Sequence, residues 1–67
     1  MQISARNQLK GRVKEVVLGT VMAEVVVDVG GQELVSAITR RSAEALGLKA
    51  GDSVTVIIKA TEVIIGK

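Results

Sequence analysis

A chain of 67 residues with no cysteine, histidine, proline or aromatic side chain excludes more chemistry than it suggests. It has room for one small domain without disulfides, without thiolate or imidazole metal ligands, and without the side chains that most often perform acid–base work near neutral pH. Nine basic against seven acidic residues leave a net charge of +2, too small and too dispersed to mark a nucleic-acid or membrane partner.

The first predicted element is a strand. Leu9, Gly11 and Val13 alternate with Lys10, Arg12 and Lys14, and the apolar phase then slips to Val16 and Leu18. A slip of one residue inside a strand implies a bulge and strong local curvature. A second strand follows over Val21–Val29, with Ala23, Val25, Val27 and Val29 on one face. Its other face, Met22, Glu24, Val26 and Asp28, is apolar only in part. Gly30-Gly31 supplies the positive φ values of a tight hairpin and feeds a third strand, Gln32–Ile38.

Thr39–Leu46 reads as a short helix with Thr39 as N-cap and Gly47 as the stop, and Leu48 returns the chain to the core. Lys49–Asp52 is a turn, Ser53–Lys59 a fourth strand and Thr61–Ile65 a fifth. Five strands with one helix between the third and fourth match the order of an OB-like five-stranded Greek-key barrel, all-β apart from that helix. Apolar residues on both faces of the strands leave Val25, Val26, Ile57 and Ile58 short of a core in one chain. A chain of this length buries only about 60% of its unfolded surface, so the fold is expected to assemble as an oligomer.

The carboxylates Glu24, Asp28, Glu33 and Glu62 do not cluster, which argues against an enzyme and against a site that ligates a metal cation directly. With no aromatic platform, single-strand nucleic-acid binding, a common use of such barrels, is not expected. What remains is a set of hydrogen-bond donors: Ser4, Arg6 and Asn7 before the first strand, Thr39 and Ser42 at the helix start, and Lys59 where the fourth strand gives way to the fifth. Such donors suit an anion. Each also has a plainer role: Thr39 caps, Ser42 satisfies the first helical turn, Arg6 pairs with a carboxylate, and Lys59 is a solvated edge charge. No apolar stretch reaches the ~18 residues of a membrane span, and Met1–Asn7 lacks the apolar core of a signal peptide, so the expected location is cytoplasmic.

Three segments carry a family resemblance: Ser4-Ala5-Arg6-Asn7-Gln8-Leu9-Lys10-Gly11, Ser36-Ala37-Ile38-Thr39 and Ile58-Lys59-Ala60-Thr61-Glu62-Val63. Together with the Gly30-Gly31 hairpin and the Leu46-Gly47-Leu48 helix exit they resemble the molbindin (Mop) family of small molybdate-binding proteins. The resemblance implies a single Mop-like, TOBE/OB-type domain over residues 1–67. It also implies assembly as a trimer of dimers, a hexamer, with oxyanions held between subunits. The matching positions are Ser4, Ala5, Arg6, Thr39, Ser42, Lys59 and Ala60, with Asn7 and Gln8 as candidates for a second site on a symmetry axis. The implied role is intracellular storage, buffering or homeostasis of molybdate, with tungstate as an alternative ligand. Neither nucleic acid nor membrane is an expected partner.

Two other readings remain open at the level of sequence. Leu46–Val56 also resembles the AbrB-like swapped-hairpin domains, dimeric DNA-binding modules, although the first half of the chain has no counterpart there. A ligand-free structural oligomerisation module would account for the apolar patterning alone.

Overall fold

The computed structural model describes every residue, Met1–Lys67. Four strands, β1 (Asn7–Leu18), β2 (Met22–Val29), β3 (Gln32–Thr39) and β4 (Ser53–Ile58), form one antiparallel sheet in the order β3-β2-β1-β4. A six-residue helix, α1 (Arg40–Ala45), separates β3 from β4, and a 3₁₀ turn, Ala60–Glu62, follows β4.

The slip in apolar phase is a bulge at Lys14. Val13 pairs with Val27 and Glu15 with Val26, so Lys14 is the extra residue and Val16 returns to the inner face opposite Val25. The hairpin between β2 and β3 turns on Gly30 and Gly31, whose φ values of 56° and 88° are the two left-handed angles of a type I′ turn. Asp28 secures it by accepting a hydrogen bond from the Gly31 N–H at 3.0 Å. Beside the hairpin, the Glu33 carboxylate accepts from the Lys14 ammonium, a bond that holds Lys14 above its ordinary pKa.

Val13, Val25 and Val27 are the centre of the core, with Val16, Val29, Ile38, Leu48, Val54 and Val56 packed around them. Gly11 permits that packing. A Cβ at this position would lie 2.6 Å from Val27 Cγ1 and 2.9 Å from the Asp28 carbonyl oxygen, so β1 crosses β2 at a distance only a glycine allows.

The expected fifth strand is absent from the chain, and with it the closed five-stranded barrel. Residues Ala60–Glu62 turn instead, and the tail beyond them carries no ladder, with Ile64 92% and Ile65 85% exposed. Branched apolar residues favour a strand only where another strand pairs with them, and none lies alongside this tail. The fourth strand correspondingly ends at Ile58. The edges of β3 and β4 are not bonded to each other, yet Leu34, Val35 and Ser36 line one apolar cleft together with Val56, Ile57 and Ile58 over a floor at Val27. The sheet therefore curls most of the way to a barrel and stops with two open edges.

Only six residues are buried, all of them valine or alanine, which is a thin core for one domain; contrary to expectation Val25 and Val26 are among them, because the curled sheet and the helix cover both faces of β2, whereas Ile57 and Ile58 are only partly covered. The chain exposes 5475 Å², against about 4,000 Å² for a folded monomer of its mass. Its radius of gyration, 12.3 Å, likewise exceeds the roughly 11 Å usual for this length.

Gly11→Ala should lower stability by about 1–3 kcal/mol, because the Asp28 backbone cannot retreat as a side chain can. Urea denaturation of the variant and the parent, read as a shift in midpoint at unchanged slope, measures this directly.

Candidate functional site

The antiparallel pairing of β1 with β4 brings the two ends of the chain together. Asn7, the first residue of β1, stands opposite Ile58, the last of β4, so the segment leading into β1 lies beside the segment leaving β4. Ser4, Ala5, Arg6 and Asn7 from the first and Lys59, Ala60 and Thr61 from the second line one open cleft of about 480 Å³. The cleft holds two cations and two hydroxyls and no carboxylate.

Of the plainer roles of the two cations, the carboxylate pairing of Arg6 is not realised, whereas Lys59 is the exposed charge at the end of β4 that the plainer reading expects. Arg6 forms no ion pair, since the salt bridges of the chain are Lys14–Glu33, Arg40–Glu44 and Lys49–Asp52, and Lys59 forms none either. Both side chains are exposed and so retain all their donors. A concave surface with unpaired positive charge and hydroxyl donors is suited to an anion that offers acceptors and carries no proton of its own.

Asn7 and Gln8 are already engaged. The Asn7 side-chain amide donates to the Ile58 carbonyl at 3.2 Å, across the junction of the two segments. Gln8 Nε2 turns back to the Ala5 carbonyl at 2.7 Å.

Thr39 and Ser42 lie elsewhere. Thr39 pairs with Met22 at the far end of the sheet, beyond the last residue of β1, whereas Arg6 and Lys59 flank its first. β1 is 12 residues long, on the order of 40 Å along its contour. Thr39 is the N-cap of α1: its hydroxyl oxygen accepts from the Ser42 N–H at 3.1 Å and its O–H donates to Ser42 Oγ at 2.8 Å. The capping role expected from sequence is real, and it leaves the Ser42 hydroxyl proton as the free donor of the pair. Around this helix start, Thr20, Val21, Thr39, Arg40, Arg41 and Glu44 line a second cleft. There Arg40 is spent, donating to the Gly19 carbonyl at 3.3 Å and pairing with Glu44 at 3.5 Å, while Arg41 makes no ion pair.

The structure thus brings Ser4, Ala5, Arg6, Lys59 and Ala60 together and places Thr39 and Ser42 elsewhere, Thr39 lining the second cleft and Ser42 bonded to it without lining that cleft. Among the lining residues that sequence reasoning did not single out are Thr61 and Arg41, which offer unpaired donors. Thr61 falls in the segment read as a fifth strand, although a hydroxyl two residues after Lys59 was a signal for it; Arg41 stands beside an arginine already used for structure.

Comparison with known proteins adds to this geometry. The TOBE domain family matches residues 3–65. Molybdenum-pterin-binding protein 3 of Clostridium pasteurianum is 52% identical over 66 residues, 97% of each chain. A molybdate-binding protein from Sporomusa ovata superposes with a TM-score of 0.95 at 54% identity, covering 100% of both chains. The cytoplasmic molybdate-binding protein ModG, solved with molybdate bound, superposes with a TM-score of 0.85 at 44% identity over 90% of this chain and 43% of its own.

Removal of the cap separates its structural part from any other role. Thr39→Ala should cost about 1 kcal/mol of stability and Thr39→Ser a small fraction of that, measured by chemical denaturation.

Proposed function

The chain belongs to the TOBE-domain family and, within it, to the Mop proteins, and from that premise we propose that it binds molybdate between its own subunits. The observation that carries the proposal is the carboxylate-free cleft in which Arg6 and Lys59 stand unpaired beside Ser4 and Thr61. Molybdate at neutral pH is a fully ionised tetrahedral dianion with acceptors on every side, and tungstate is nearly identical in size and charge. Hydrogenphosphate would bring a proton into a cleft lacking a carboxylate to receive it, at a cost of roughly 1–3 kcal/mol.

Ser4, Ala5, Arg6, Lys59 and Ala60 form one wall of this site, and Thr39 and Ser42 of another copy form the facing wall. An open cleft several times the volume of a tetrahedral oxyanion does not desolvate its guest, and a second chain supplies what one chain lacks. The surplus exposed surface, the two free sheet edges and the apolar tail Val63–Ile65 all support assembly, with a trimer of dimers as its form. The fifth strand then forms only on assembly. The role is non-catalytic: storage, buffering or homeostasis of molybdate in the cytoplasm, the location of the similar molybdate-binding protein ModG.

Native mass spectrometry with added molybdate tests subunit number and bound anions together; a folded monomer that takes up none would refute the proposal. Ligand and assembly are linked, so molybdate at 100 times its dissociation constant should stabilise the oligomer by ~2.7 kcal/mol per site and raise its melting temperature. In calorimetric titrations of intact oligomers, Arg6→Ala and Lys59→Ala should each weaken binding at least tenfold. Arg6→Lys should not restore full affinity, because the guanidinium fork offers two parallel donors and an ammonium one point charge. Ser4→Ala should cost about 1 kcal/mol.

A further inference from the structure

The cleft has a weakness that points to a further residue. Met1–Arg6 precede the first strand, and no backbone hydrogen bond of the chain reaches any of them. The side chains of Ser4 and Arg6 make none either. The one hydrogen bond that fastens this segment is donated by Gln8 Nε2 to the Ala5 carbonyl, 2.7 Å away. Gln8 is itself held within the β1–β4 ladder, opposite Ile57, so the bond ties the segment to a paired strand.

We propose that Gln8 is a positioning residue for the anion cleft: by holding the Ala5 carbonyl it sets the Ala5–Arg6 peptide, and with it the place from which the Arg6 guanidinium reaches the ligand. The peptide group is planar and trans, so fixing the Ala5 carbonyl also fixes the direction of the Arg6 N–H, which has no acceptor within the chain. Gln8 therefore acts through its neighbours and not as an oxyanion ligand. An amide whose donor nitrogen already holds a carbonyl at 2.7 Å would have to break that bond to turn to an anion. The inference rests on the molybdate reading of the cleft. It reassigns a side chain that sequence alone offers as a ligand of a second site.

The mechanism is preorganisation. Without the Gln8 bond the segment carrying Ser4 and Arg6 is ordered only when the anion arrives, and binding bears that cost. A hydrogen bond of ordinary net strength corresponds to a loss of about threefold to tenfold in affinity.

The test uses the full chain in its assembled form and two substitutions. Gln8→Met keeps length and removes the donor; Gln8→His at pH 8, where the imidazole is neutral, restores a donor nitrogen. Gln8→Met is expected to shift the Arg6 amide signal in the NMR spectrum of ligand-free protein and to weaken molybdate binding by about threefold to tenfold. Melting temperature without ligand should fall by no more than the few degrees that one hydrogen bond accounts for, while subunit number and the number of molybdate ions bound stay as in the parent. Gln8→His should recover most of the affinity, and Gln8→Met should weaken the Arg6→Ala background far less than the parent, since the two act through one contact. Parental affinity in Gln8→Met would overturn the positioning role, and so would a fall in the number of bound ions with the remainder bound as before, which would make Gln8 a ligand. If the parent itself takes up no molybdate, the functional reading fails and the positioning role fails with it. An unshifted Arg6 signal in Gln8→Met would show that the fastening, and not the ligand, was wrongly assigned.

Discussion

A sheet of four strands that curls around three valines has nothing left with which to close itself. β3 and β4 end as open edges on either side of an apolar cleft, each presenting a row of backbone groups that no strand of the chain pairs. The bulge at Lys14 and the glycine at 11 bring this about, since one bends β1 and the other lets it cross close over Val27. The curvature that makes the inner face concave also fixes where the chain termini meet. Core, open edges and the cleft between the two end segments are three results of one bent strand.

That geometry gives β1 a double use. Its first residue is paired with the end of β4, which sets Arg6 beside Lys59, and its last lies next to the entrance of β2, where Thr39 and the start of α1 are held. Arg40 strengthens the second junction, its backbone N–H donating to the Val21 carbonyl at 2.8 Å and its guanidinium to Gly19. Both groups of donors are well placed locally and far from each other. In the proposed assembly the same surfaces that satisfy the fold bring the two groups together, so stability and ligand binding draw on one interface.

Much of this was legible in the sequence because the signals are local. The phase slip between Val13 and Val16 declares a bulge, paired glycines declare a type I′ turn, and a threonine before Arg40 with a glycine after Leu46 brackets the helix. The fifth strand does not form in the single chain, because Val63, Ile64 and Ile65 have the composition of a strand and composition does not say whether a partner lies alongside. The cleft was harder still. Arg6 and Lys59 stand near opposite ends of the sequence, and their proximity depends on the β1–β4 register, which no local pattern reveals; only the resemblance of the whole segments linked them. Thr61 was hidden by the strand reading. Gln8 was visible as a donor, but a side-chain amide bonded to a carbonyl three residues back looks in sequence the same as one free to meet a ligand.

In the proposed assembly the separation of the two donor groups along β1 also governs time. An anion that lies between walls belonging to different chains cannot leave through the loss of its own contacts alone, because the opposite wall blocks its exit until the subunits move apart. Escape is then paced by opening of the interface, a collective motion on microsecond or slower timescales, and not by the rupture of single hydrogen bonds. On that proposal residence is set by how firmly the subunits hold one another, so a cleft of modest intrinsic strength would act as a slow reservoir, whose discharge responds to the concentration of the chain itself as well as to that of the ion.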